Sequence, residues 1–346
     1  MTVRRRGDGH RIIRWLWTSR QPGARVARAL LVPASGLWRA GMNVRQHAYE
    51  KGWFVRHDLP APSVAIGNLT VGGSGKTPLA GWVATHYADR GLVPGILLRD
   101  YGGDEAAVHR DAIPRAIVVG DADRVAGAAR AVAAGANVLV LDDAFQRLDV
   151  NRDLNICLIS AETTRAVGWP LPAGPWREGM QALRRADAAI VTRKRADRET
   201  AERLASELRR RMAGPVAIVH LEITKLRGLV SGNDVPVASL AGRRVVAASA
   251  IADPEAFVTQ VKRMGAQVQV ATWKDHHQFR DEDLAWLAHA SRRADHVVVT
   301  AKDAVKLRDR WPVSVPEPLV AMLHVSFEAG ETELRDALDA VVASSA

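Results

Sequence analysis

The chain has 346 residues, 47% hydrophobic and 25% charged, a globular balance that excludes a disulfide miniprotein, a collagen and a disordered chain. Its length suits two domains of usual size, or one large α/β domain with an appendage. The net charge of +10 is concentrated: residues 1–56 hold twelve Arg/Lys and two acids, while the remainder holds 36 of each sign. One cysteine, Cys157, cannot close an internal disulfide, which fits a reducing cytosol.

The N-terminal segment, residues 1–56, also carries Trp15, Trp17, Trp38 and Trp53. Its longest apolar stretch, Ala29–Trp38, contains Pro33 and falls short of the roughly 20 residues a spanning helix needs. Arginines interrupt what precedes it, which argues against a cleaved signal peptide. A basic amphipathic segment with interfacial tryptophans can lie on an anionic leaflet. The alternatives are a helix pair packed on the core and, last, nucleic-acid binding, for which no module surrounds the arginines.

Ser63–Ile66 reads as a strand, residues 67–77 as a glycine-rich loop and residues 78–84 as a helix. Glycines let backbone N–H groups converge on an anion, so Gly72, Gly73, Ser74, Gly75, Lys76 and Thr77 are the candidate nucleotide-binding residues. Lys76 would reach the β- and γ-phosphates, and the Thr77 hydroxyl would hold Mg²⁺. The strict pattern has glycine where Thr70 stands; Gly72 and Gly73 compensate. A structural glycine turn is the alternative.

Apolar runs at 93–98, 117–119 and 137–141 alternate with helical stretches, which predicts a parallel sheet covered on both faces. Catalytic groups in such sheets lie at the carboxyl ends of strands. Asp142 and Asp143 follow the last of these runs, and a carboxylate there can hold Mg²⁺. A helix N-cap at Asp143 is the competing reading. Asp104 and Glu105 follow Gly102-Gly103, where spacing alone favours a solvated loop. Residues 169–178 form a stiff proline-rich loop that presents Arg177.

Residues 228–236 are turn-rich and mark a candidate boundary. Beyond them, strands at 243–250, 267–271 and 297–299 alternate with helices, the first capped by Asp253. Asp275-His-His277 suits either metal binding or proton transfer. Lys302-Asp303 suits either phosphate binding or a mutual pair. The fold class expected is α/β: a P-loop core over 57–227, a smaller C-terminal α/β domain over 228–346, and the helical segment 1–56.

Six pieces in order resemble the tetraacyldisaccharide 4′-kinase family. They are residues 67–78, Arg99–Glu105, Asp142–Gln146, Leu171–Glu178, Asp275–His277 with Phe279, and Thr300–Lys306. The resemblance implies transfer of the γ-phosphate of Mg·ATP to the 4′-hydroxyl of an acylated glucosamine disaccharide 1-phosphate, giving lipid IVA. It implies a peripheral protein at the cytoplasmic face of the inner membrane, with the active site between two domains. The expected partners are the lipid and the anionic membrane surface, with no nucleic acid and no protein partner. Asp104 matches the catalytic aspartate, Glu105 the acid beside it as a metal-side group, and His276, chosen over His277, the histidine that works with Asp104. Tyr101, Arg124 and Arg177 are the implied substrate or phosphate contacts. The chain departs from the family in Asp100, in the fusion of Arg99–Gly103 to Asp104-Glu105 where many members insert about twenty residues or more, and in Arg147-Leu-Asp149. A different glycolipid acceptor, or a non-catalytic nucleotide switch, are the alternatives.

Overall fold

The computed structural model describes residues 8–99, 103–165 and 168–343. The described residues form two compact units, one within 12–220 with 325–343, the other within 221–324 with 8–11. The division falls at 220/221 and again at 324/325, not at 228 as the turn-rich stretch suggested. Strand β7 (Val216–Gly228) runs straight through the first crossing and β12 (Leu319–Ala329) through the second, so neither leaves a compositional mark.

The larger unit is built on parallel strands in the order β7, β6 (Ala188–Arg193), β5 (Leu154–Ser160), β1 (Ser63–Asn68), β4 (Val138–Asp142), β2 (Pro94–Leu98), β3 (Ile117–Gly120). β1 sits centrally, pairing Ala65 with Leu141 on one side and with Asn155 on the other. Every residue of β1, β4 and β5 is buried, as expected of parallel strands covered on both faces. Cys157 lies in β5, and burial pushes its thiol up.

Helices α3 (Lys76–Ala88), α4 (Asp104–Ala112), α5 (Arg124–Ala133) and α6 (Arg198–Arg209) pack on this sheet. Asp123 caps α5 by accepting from the Val125 and Ala126 N–H groups. The returning segment adds α10 (Glu331–Ala343) against β1 and β5. There Tyr87 donates to the Leu338 carbonyl at 2.9 Å, and His86 Nε2 lies 2.8 Å from Asp339.

At the N-terminus, α1 (Asp8–Thr18) precedes α2 (Pro22–Glu50), which passes through Pro33. One face of α2 docks on the proline-rich loop: Ser35 donates to the Pro170 carbonyl at 2.9 Å and Trp38 to that of Arg177 at 2.9 Å. Val26, Leu30, Leu37 and Val44 form an exposed stripe along it, followed by exposed Trp53, Phe54 and Val55. Among the described residues no helix is long and apolar enough to cross a membrane.

The smaller unit carries parallel strands in the order β10 (Gln267–Thr272), β9 (Arg244–Ser249), β11 (His296–Thr300), β12, with α7 (Pro254–Arg263), α8 (Asp281–Arg293) and α9 (Ala301–Leu307). A short β8 (Asp234–Val235) pairs antiparallel with β7. Its core includes Trp273, Phe279, Leu287 and Trp311.

Candidate active site

The loop after β1 is shaped by glycine where the backbone demands it. Gly72 (φ 118°) and Gly75 (φ 91°) adopt left-handed conformations. Thr70, in place of the usual glycine, is buried opposite Trp176 in a β-bridge, and the Val71 N–H donates to the Pro175 carbonyl at 2.8 Å. The proline-rich loop therefore splints the phosphate loop.

A second set of bonds holds the loop from β6. Thr192 Oγ1 donates to the Ser74 carbonyl at 2.8 Å, and Lys194 Nζ to the Gly73 carbonyl at 2.6 Å. A planar trans peptide directs its C=O and N–H to opposite sides, so engaging the Ser74 carbonyl turns the Gly75 N–H the other way. That is how such loops offer amides to phosphate. Asn68 Nδ2 donates to Ser74 Oγ at 2.7 Å, and Gln146 Nε2 to the Asn68 carbonyl at 2.8 Å. Behind Lys194, Glu162 Oε1 accepts from the N–H groups of Lys194, Arg195 and Ala196. Burial alone would raise the Glu162 carboxyl, but these bonds and the Ser160 hydroxyl outweigh it and hold it at about 2.

Two adjacent carboxylates at the end of β4 have different surroundings. Asp142 is buried, with His109 Nε2 of α4 at 3.3 Å from its Oδ2. Asp143 follows with left-handed backbone (φ 53°) and lies in a turn, not at a helix N-cap. Its Oδ1 lies 3.6 Å from Lys76 Nζ and 3.0 Å from Arg177 Nη1, which also donates to Gln146 Oε1 at 3.3 Å. Lys76, Asp143, Arg177 and Gln146 are thus gathered at the mouth of the phosphate loop.

Asp104 and Glu105 occupy the first turn of α4, entered through Gly103 at φ 75°, and Asp104 is buried. The solvated-loop reading of these two acids is therefore corrected: they start a packed helix. Arg124 is buried at the start of α5, donating to the Asp121 carbonyl. Burial depresses its guanidinium, aided by Arg147 and opposed by Asp142 and Asp143. Tyr101 lies outside the described residues.

The donor set fits Mg²⁺. Thr77 and the two β4 carboxylates offer hard oxygens, and Thr77 is buried in the first turn of α3. Among the described residues no group of three or more His, Cys, Asp or Glu could hold a metal alone. Mg²⁺ is usually bound by one or two carboxylates with phosphates and waters.

In the smaller unit, the two histidines of Asp275–Phe279 have separate surroundings. His277 Nε2 lies 2.8 Å from Asp283 Oδ2, its ring stacks on Trp273, and Trp273 Nε1 donates to Asp283 Oδ1 at 3.0 Å. Burial alone would raise Asp283, yet the bonds from His277, the Arg280 N–H and Trp273 hold it at about 2. His276 is 48% exposed and has left-handed backbone (φ 56°), with its N–H on the Ala250 carbonyl. Asp303, buried, accepts from the Thr300 hydroxyl and the Ala250 N–H and so ties α9 to the end of β9.

His109, Thr192, Lys194 and Glu162 escaped the sequence reading. None belongs to a recognisable motif, and each acts through a backbone carbonyl, a backbone amide or a carboxylate distant in sequence.

A model of the family tetraacyldisaccharide-1-P 4′-kinase matches residues 27–112 and 102–343. The chain belongs to this family. The two matched pieces overlap at the fused motif around Asp104. The tetraacyldisaccharide 4′-kinase of Xanthomonas campestris is 33% identical over 90% of this chain and 92% of its own. That of Anaeromyxobacter sp. strain K is 35% identical over 95% of each. The crystal structure of the "apo" form of LpxK from Aquifex aeolicus in complex with ATP aligns with a TM-score of 0.71 at 26% identity, covering 91% of this chain and 99% of that one.

Proposed function

We propose that this protein transfers the γ-phosphate of Mg·ATP to the 4′-hydroxyl of tetraacyldisaccharide 1-phosphate, giving lipid IVA. The observation that carries the reading is the gathering of Lys76, Asp143 and Arg177 at a splinted phosphate loop, in a chain of this family.

Asp104 accepts the proton of the attacking hydroxyl as its oxygen bonds to the γ-phosphorus and ADP leaves. His276 is the histidine that the resemblance pairs with it. The loop amides and Lys76 hold the phosphates, and Arg177 and Arg124 add positive charge for phosphate or headgroup. Thr77, Asp142 and Asp143, with Glu105, would hold Mg²⁺, which supplies charge neutralisation on the transferring group. Positioning and electrostatics do most of such catalysis. Among the described residues the only non-glycine residues with left-handed backbone are Asp143 and His276, both in this set. Such backbone persists where surrounding structure fixes it, and it clusters at functional positions.

The protein works as a peripheral protein at the cytoplasmic face of the inner membrane. The apolar stripe of α2, with Trp53 and Phe54, supports that location. The direct test is phosphate transfer from labelled ATP to tetraacyldisaccharide 1-phosphate in detergent micelles, with Asp104→Ala alongside. Product from wild type alone is expected. Equal product from both would reassign the proton acceptor. A different glycolipid acceptor is a second reading, favoured by the short link of residues 99–103 between β2 and α4. Bound ATP with no product on this lipid would support it.

A further inference from the structure

We propose that His109 is a positioning residue for phosphoryl transfer, fixing the Asp142 carboxylate and, through its own helix, the seat of Asp104. The proposal rests on the roles given above to those two carboxylates.

His109 lies on α4 five residues after Asp104, about 7.5 Å along the axis at 1.5 Å per residue. Its Nε2 stands 3.3 Å from Asp142 Oδ2, and both side chains are only 2% exposed. A carboxylate accepts, so Nε2 carries the hydrogen and donates. The other edge of the imidazole faces α3: a β-carbon on Gly81 would lie 4.0 Å from Nδ1. One side chain therefore faces the helix that starts at the phosphate loop, bonds the strand that ends in the metal-side carboxylate, and stands on the helix that carries the proton acceptor.

The brace ties α4 to a strand outside its main packing neighbours. α4 rests on α3, β2 and β3. The His109–Asp142 bond adds a side-chain hydrogen bond from α4 to β4. A buried carboxylate free to rotate would present either oxygen to the metal. A donor on Oδ2 selects one orientation.

The test uses the full chain with His109→Leu, which fills the space without a donor, and His109→Gln, whose amide can replace the Nε2–H. ATP binding is measured by calorimetry with and without Mg²⁺, and transfer kinetics in parallel. In His109→Leu the Mg²⁺-dependent gain in ATP affinity is expected to fall about tenfold with Mg²⁺-free binding unchanged. Its kcat is expected to drop about tenfold with little change in KM for ATP. His109→Gln should recover most of both. Wild-type metal dependence and kcat in a folded His109→Leu would overturn the proposal and leave His109 a packing residue. Should His109→Leu not fold, His109→Gln decides: a retained Mg²⁺ gain supports the brace, and a lost gain in a folded protein overturns it. If wild type transfers nothing to the lipid, the functional reading fails, while the calorimetric arm still tests His109.

Discussion

The phosphate loop and the Asp275–Phe279 turn are built on opposite plans. In the loop, side chains from two distant segments hold backbone carbonyls: Gln146 that of Asn68, and Lys194 and Thr192 those of Gly73 and Ser74. In the turn, one histidine is anchored and its neighbour is presented. His277 is locked to Asp283 and Trp273, and this fixes the backbone on which His276 stands exposed. The difference follows the tasks proposed for each. Anion binding gains from preorganised donors, whereas a proton-handling side chain needs a fixed backbone and an accessible ring.

The comparison breaks first at the loop. Lys76→Ala and Asp104→Asn should each lower turnover by roughly 10³-fold, within the range for losing a charge clamp or a general base. Steady-state transfer assays check this, and a loss under tenfold in either would remove that residue from the chemistry. Next comes His276→Asn, since asparagine tolerates left-handed backbone but cannot relay the proton. Turnover should fall about 10²-fold while thermal unfolding stays put. His277→Ala should do the reverse. It strips a buried carboxylate of one donor, costing about 1–3 kcal/mol in denaturant unfolding. A His277 variant as stable as wild type would erase the distinction between the two histidines.

Smaller effects concern pH. Asp283 is held at about 2, below its ordinary value, so its contribution to stability is full above the usual carboxylate range and is lost as pH falls toward 2. Burial lowers His86 against the opposing bond from Asp339. Its neutral form belongs to the fold, so stability from this site is present above about pH 6.5 and declines as pH falls below it. Melting temperatures from pH 8 to pH 5 should decline, and more gently in His86→Gln. An identical slope in that variant would assign the decline elsewhere.

Much of the nucleotide half was legible in the sequence. The strand–loop–helix read at 63–84 and the apolar run ending in Asp142-Asp143 carry their own local signals, glycine where φ is positive and unbroken hydrophobicity in buried strands. α4 was not legible as a helix start. Gly102-Gly103 with two acids has the composition of a loop, and only the left-handed Gly103 with Asp104 buried behind it makes it a helix entry. β5 escaped because Asn155 breaks its apolar run, although the side chain is spent donating to the Arg185 carbonyl at 2.6 Å. The unit boundaries escaped because each runs through the middle of a strand. His109 and Lys194 could not be seen at all, because their partners are 33 and 121 residues away.

The return of residues 325–343 to the larger unit has a consequence for biosynthesis. α10 covers β1 and β5, the strands beside the phosphate loop, and Tyr87 of α3 is hydrogen-bonded to it. A nascent chain that has emerged only as far as residue 324 would carry every loop of the nucleotide site with its supporting strands uncovered. Maturation of the nucleotide half therefore waits on a helix made after the whole smaller unit, and a chain stopped at residue 324 would lack it.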